Sequence, residues 1–250
     1  MSQAAALSAH RRSAFADAIQ TRKSGMKALL NKKGLPMDII PLTLSPLATN
    51  CYIVPVGGGD AVVIDPADDG EKILDTAEKA GLSVKKILLT HGHFDHTGGA
   101  AYIKEKTGAP IYIHKADNEL LSDAVKALAF FCPGKPFVTC EADVLFDDGD
   151  VITEGGAQFR VMCTPGHTAG SVCFLYTDED GKNIMFAGDT IFRDSIGRSD
   201  GYSGDPEVQL RSLDKLKALE TDYIILPGHG ESTTLFTEKR YNPFLSDMLF

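Results

Sequence analysis

Within Thr90-His91-Gly92-His93-Phe94-Asp95-His96-Thr97-Gly98-Gly99, three imidazoles and a carboxylate fall inside six residues. Val84, Ile87, Leu88 and Leu89 ahead of them read as a buried strand, and the paired glycines behind read as the entry to a helix. The polar groups therefore sit on a turn at the C-terminal end of a strand, where side chains converge without interrupting a ladder. Left unpaired in such a place, each would cost several kcal/mol, roughly. A bound cation removes that cost. His91 and His93 are two residues apart, so on extended backbone they point the same way and can share one ion. Asp95 and His96 follow on the turn and point elsewhere, toward a second ion. This alternation is neither the i, i+4 pair of a helical zinc protease nor a cysteine-rich finger. A surface histidine cluster without a ligand is the competing account.

His91-Gly92-His93-Phe94-Asp95-His96 resembles the signature of the metallo-β-lactamase superfamily. Three later stretches follow the same family pattern in order: Thr164-Pro165-Gly166-His167-Thr168-Ala169-Gly170-Ser171, Phe186-Ala187-Gly188-Asp189-Thr190 and Leu226-Pro227-Gly228-His229-Gly230. The likeness runs from about Met37 to beyond His229. It implies an α/β (α+β) fold, a four-layer αββα sandwich with the site along the open edge between two sheets. It also implies His167 as third ligand of the ion held by His91 and His93, and Asp189 as a bridging carboxylate. His229 would complete a second site with Asp95 and His96, and Asp65 would brace His91 or His96 from behind. The β-lactam-hydrolysing members carry Cys where this chain has Asp189, which disfavours antibiotic hydrolysis.

Such a site implies two divalent metal ions. Zinc is the default for histidine and aspartate ligands, with iron or manganese compatible. A metal brings the pKa of water from about 15.7 to about 7, roughly 12 kcal/mol, so a metal-bound hydroxide becomes available to attack a carbonyl carbon. Asp95 is the candidate catalytic residue, orienting that nucleophile and accepting its proton. The loop from Phe192 to Gly201 resembles the Gly-Arg-x-Asp segment of single-domain proteins related to hydroxyacylglutathione hydrolase (glyoxalase II). It makes Phe192, Arg198 and Tyr202 candidate substrate contacts, against an ordered loop in which Arg198 pairs with Asp194 or Asp200. With few residues after His229, a counterpart of the helical C-terminal domain that helps full-length glyoxalase II bind glutathione is not expected. Hydrolysis of a small thioester such as S-lactoylglutathione is the expected reaction. The alternatives are a mononuclear iron sulfur dioxygenase acting on a persulfide, or a hydrolase of another ester or lactone.

The rest of the chain must position these groups. With 250 residues and 43% hydrophobic content it can bury one large core, so one catalytic domain from residue 37 to 250 is expected. The net charge of −9 argues against a nucleic-acid partner, and no apolar run approaches the roughly 18 residues of a membrane span. A small-molecule substrate is expected. Five cysteines without a Cys-x-x-Cys pair suit reduced thiols in a cytoplasmic protein. Residues 1–36 differ, with seven basic residues against the single acid Asp17 and apolar residues near one helical face. This reads as an appended basic helix or an extension upstream of Met37, with an organelle transit peptide as the alternative.

From residue 38 short β-prone runs alternate with helical ones. Gly57-Gly58-Gly59-Asp60 signals a hairpin, and Glu71 to Ala80 and Gly99 to Lys106 signal helices. Asn118 to Phe131 also carries apolar residues at helical intervals and is expected to be a helix, while His114 reads as a capping or surface histidine. Five short strands follow between Val144 and Phe186. A helix from Glu207 to Leu219 is capped by Asp205-Pro206, and a last strand covers Tyr223 to Leu226.

Overall fold

The computed structural model describes residues 39–246; the expectations for residues 1–36, including the boundary at residue 37, lie outside them. Strands β1 (Ile40–Leu44), β2 (Thr49–Gly57), β3 (Asp60–Ile64), β4 (Ser83–Leu88), β5 (Ile111–His114) and β6 (Val144–Phe146) form one sheet in sequential order. The first three pair antiparallel, and Gly57, Gly58 and Gly59 take positive φ in the β2–β3 turn, as the hairpin signal requires. From β3 onward the pairing is parallel, so the chain crosses over through helices α1 (Gly70–Lys79), α2 (Phe94–Thr97) and α3 (Ala100–Thr107).

The second sheet contains β7 (Val151–Glu154), β8 (Ala157–Cys163), β9 (Val172–Thr177), β10 (Asn183–Gly188), β11 (Ile224–Pro227) and β12 (Thr233–Thr234), ordered β12-β11-β10-β9-β8-β7. Helix α4 (Pro206–Ala218) makes the parallel crossover from β10 to β11, and α5 (Leu235–Tyr241) follows β12. The Asp205 carboxylate accepts from the Glu207 and Val208 amides, and Pro206 sits in the first turn, so α4 starts where its cap dictates.

Alternation along the strands builds the layers. In β2, Cys51 and Ile53 join Ile73, Ala77 and Ile103 in the core under the helices. Tyr52 points the opposite way and meets Phe186 of the other sheet, ring centroids 5.5 Å apart. Met185 and Ala187 pack with Leu213, Leu216 and Leu235 beneath α4 and α5. The result is helix, sheet, sheet, helix, the αββα sandwich.

One expected helix is absent. Residues Lys115–Leu121 form a 3₁₀ turn, and only Ala129–Phe131 continue in that form after a run of turns. The apolar spacing there does not describe one buried face, because Val125 and Phe131 are exposed while Leu120 and Leu121 are buried. Asp123 bonds the Val125 and Lys126 amides with its own side chain, and Leu128 takes a positive φ, so local turns replace the helical ladder. His114 does cap the 3₁₀ turn, accepting from the Ala116 amide. All five cysteines are free. Among the described residues no helix is long and apolar enough to cross a membrane.

Candidate metal centre

Strand β4 delivers Thr90, His91 and His93 to the sheet edge, and the short helix α2 turns Asp95 and His96 back toward them. The β8–β9 turn brings His167, the end of β10 brings Asp189, and the residues after β11 bring His229. The structure thus gathers the seven expected residues from four separated turns. All are buried except His229, which is partly exposed.

The seven fall into two sets. His91 Nε2, His93 Nδ1 and His167 Nε2 converge at 2.9–3.3 Å from one another. His229 Nε2 and His96 Nε2 lie 3.3 and 3.7 Å from Asp95 Oδ2. Asp189 stands between the sets, with Oδ2 3.5 Å from both His167 Nε2 and His229 Nε2, and Oδ1 3.4 Å from His96 Nε2. Gly228 has no side chain because there is no room for one; a Cβ there would collide with Asp189 Oδ1 and His96 Cε1.

Hydrogen bonds behind the rings fix where their lone pairs point. His167 Nδ1 donates to the Arg198 carbonyl at 2.6 Å, and His229 Nδ1 to the Leu47 carbonyl at 3.2 Å. Carbonyls only accept, so each neutral ring has a bare Nε2 aimed into the site. Asp65 Oδ2 accepts from His96 Nδ1 at 2.9 Å and from the Thr90 hydroxyl at 2.6 Å. That hydroxyl has already given its proton, so it accepts from His91 Nδ1 at 3.1 Å and leaves His91 Nε2 bare as well. One carboxylate therefore orients both His91 and His96. Its oxygens are occupied by donors, which makes Asp65 a support and not a ligand.

Converging lone pairs repel unless something positive lies among them. His96 Nε2 and Asp189 Oδ1 are buried and have no hydrogen-bond partner, as is His93 Nε2. This donor set of imidazole nitrogens and carboxylate oxygens suits divalent cations. Burial, with the neighbouring imidazoles, holds the pKa of His91 and of His93 well below the ordinary histidine value. At His96 burial also opposes the charge, but Asp95, Asp189 and Asp65 outweigh it and push the ring up to about 10. The carboxylates around His96 thus favour positive charge at the second set, as a cation there would supply.

Two supporting residues gave no sequence signal. The buried Thr49 hydroxyl donates to Asp95 Oδ2 at 2.8 Å. Asp117, just ahead of the stretch read as a helix, accepts from the Gly92 amide and Thr168 hydroxyl through Oδ2 and from the Gly170 amide through Oδ1, at 2.7–2.9 Å. It ties the His91–His93 turn to the turn carrying His167. Asp117→Asn puts an amide donor where these donors point, and metal affinity measured by chelator competition is expected to fall about 10- to 100-fold. Unchanged affinity would show that the two turns hold themselves.

Of the candidate substrate contacts, Phe192 lies against the His229 ring, centroids 6.1 Å apart. Arg198 pairs with Asp200 through two bonds of 2.6 and 3.0 Å, and its backbone carbonyl is the one that holds His167. Tyr202 donates to Glu119. A second cluster, His114, Asp147 and Cys163, is no metal site of the same kind. His114 Nδ1 accepts from a backbone amide, so its Nε2 carries the proton facing Asp147, which also pairs with Lys115.

Comparison with known proteins agrees with this geometry. The Haemophilus influenzae hydroxyacylglutathione hydrolase GloC is 34% identical, covering 84% of this chain and 98% of its own. Among solved structures, the BLEG-1 B3 metallo-β-lactamase is 34% identical with TM-score 0.77, covering 83% of this chain and 99% of that one. TTHA1623 in a di-iron-bound form is 39% identical with TM-score 0.72, covering 82% and 100%. The sequence model of the Metallo-beta-lactamase superfamily spans residues 44–229, from the first strand to the last of the seven clustered side chains, and the chain belongs to that superfamily.

Proposed function

We propose that the chain is a hydrolase that holds two divalent cations and cleaves a small thioester of the S-lactoylglutathione kind. The observation that carries this reading is Asp189, whose carboxylate lies within 3.5 Å of imidazole nitrogens from both sets. In it His91, His93 and His167 would hold one cation and Asp95, His96 and His229 the other, with Asp189 placed between the two sets. Bound there, the cations would supply Lewis acidity and bring water within reach of deprotonation at neutral pH. Asp95 is the proton acceptor. Burial works against its ionisation, but His96, His229 and the Thr49 hydroxyl keep its carboxyl below the usual range, so it is anionic when water approaches. Attack at the thioester carbonyl carbon breaks the C–S bond, and the thiolate leaves with the proton Asp95 has collected. Phe192 packs edge-on to the His229 ring, and the Arg198 carbonyl keeps His167 aimed inward.

The likeness to GloC supports the thioester, and the di-iron form of TTHA1623 supports iron beside zinc as the metal. A second reading, oxygen-dependent persulfide oxidation at iron, draws on the same support for iron. Metal quantification on purified protein, with a panel of thioesters, a lactone, a β-lactam and a phosphodiester, and oxygen uptake with a persulfide, separates them. Thioester cleavage that is lost in His93→Ala is expected. Oxygen consumption with no hydrolysis would replace the proposal by the second reading.

A further inference from the structure

Beside the metal centre, the turns of residues 122–132 face the loop of residues 198–202 across a cleft of about 400 Å³. Its walls include Val125, Leu128, Phe130, Phe131 and Tyr202. Val125, Phe130 and Phe131 keep 71%, 58% and 47% of their surface in solvent, an unusual concentration of large apolar side chains left open within seven residues. The walls meet where Gly201 approaches Leu128, whose Cδ1 would lie 3.1 Å from a Cβ at position 201.

Both walls are tied to the metal-site turns by single backbone atoms. The Ala127 carbonyl accepts from the amide of Phe94, between His93 and Asp95, at 3.0 Å. The Arg198 carbonyl accepts from His167 Nδ1 at 2.6 Å. The cleft therefore adjoins the turns that carry His93, Asp95 and His167. Its charges are already matched: Arg198 is paired with Asp200 and lies over the Phe131 ring, and Lys126 is paired with Glu119 beside Tyr202. No cation lining this cleft is left over for the two carboxylates of a glutathione moiety.

Resting on the thioester reading, we propose that this cleft binds the acyl half of the substrate, and that the acyl group is an uncharged hydrocarbon chain or aryl group larger than lactoyl. Apolar walls and a neutralised rim favour such an arm, and each buried methylene is worth about three- to fourfold in kcat/KM.

The test uses the metal-loaded full chain and N-acetylcysteamine thioesters of lactate, acetate, butyrate and octanoate, with S-lactoylglutathione beside them. The expected order is octanoyl over butyryl over acetyl, rising about threefold per methylene through KM, with S-lactoylglutathione below octanoyl. In Val125→Asp, an exposed position that burial does not constrain, the octanoyl-to-acetyl ratio is expected to fall at least tenfold. A second readout needs no turnover: the S-octyl thioether of N-acetylcysteamine should shift the Val125 and Leu128 methyl resonances of metal-free protein, and the S-ethyl thioether should not. Methyl shifts without cleavage would overturn the hydrolase reading and leave the cleft assignment standing. Cleavage without chain-length dependence, or preference for S-lactoylglutathione, would overturn the cleft assignment alone. Self-association abolished by Val125→Asp, with no thioether shifts, would overturn it in favour of an interface between copies of the chain.

Discussion

Asp189→Ala is expected to lower kcat/KM on the order of 10³-fold and to halve the metal content, with little change in folding. The carboxylate stands between the two nitrogen sets, so without it His96, His167 and His229 face a gap and, of the seven clustered residues, Asp95 alone is left to balance the two proposed cations. Lewis-acid stabilisation worth several kcal/mol corresponds to roughly three powers of ten at about 1.36 kcal/mol each. Stability should hold, because Asp189 Oδ1 has no hydrogen bond to lose and alanine fits the space. Activity assays, elemental analysis and a thermal melt check the three parts. A variant that keeps both metals and wild-type turnover would remove Asp189 from the centre.

Asp65→Asn should act on stability and metal together. Asparagine keeps the shape and tolerates the left-handed backbone at φ 47, so the change isolates the charge. It leaves one oxygen for three donors, the Thr90 amide, the Thr90 hydroxyl and His96 Nδ1, and turns an amide group against one of them. Stranding buried donors and breaking the bond to His96 costs about 3 kcal/mol, a fall of roughly 6–12 °C in Tm for a domain this size. Because Asp65 orients His96 directly and His91 through Thr90, affinity at both sites is expected to drop about 10- to 100-fold. A loss confined to one site would show that Thr90 holds His91 without help.

The seven clustered residues were legible because histidine and aspartate are conspicuous in glycine-rich turns at strand ends. Each motif also sits next to an apolar run that betrays its strand. Thr49 and Asp117 were not, since their partners lie 46 and 53 residues away in sequence and a lone Thr or Asp carries no pattern. The Asn118–Phe131 stretch misled because apolar residues at helical spacing describe a buried face only when the face is buried. Here Val125, Leu128 and Phe131 line an open cleft. Strand β12 and helix α5 escaped notice for the opposite reason. They are short and largely polar, and their shape depends on caps such as Thr234 and on the buried Glu238, which accepts from Thr233, Asp194 and Asn242.

The two sheets contribute unequally to the same cluster, four side chains from the end of β4 and three from turns of the second sheet. Near them the sheets are stitched by a few bonds, among them the Val172 amide to the Thr90 carbonyl, the Asn50 amide to the Gly228 carbonyl and the Tyr52 hydroxyl to the Pro227 carbonyl. A cation seated in the cluster acts as a rivet through both halves of the sandwich. Its binding free energy is spent holding the halves in register, and chelation is expected to weaken the seam between the two sheets.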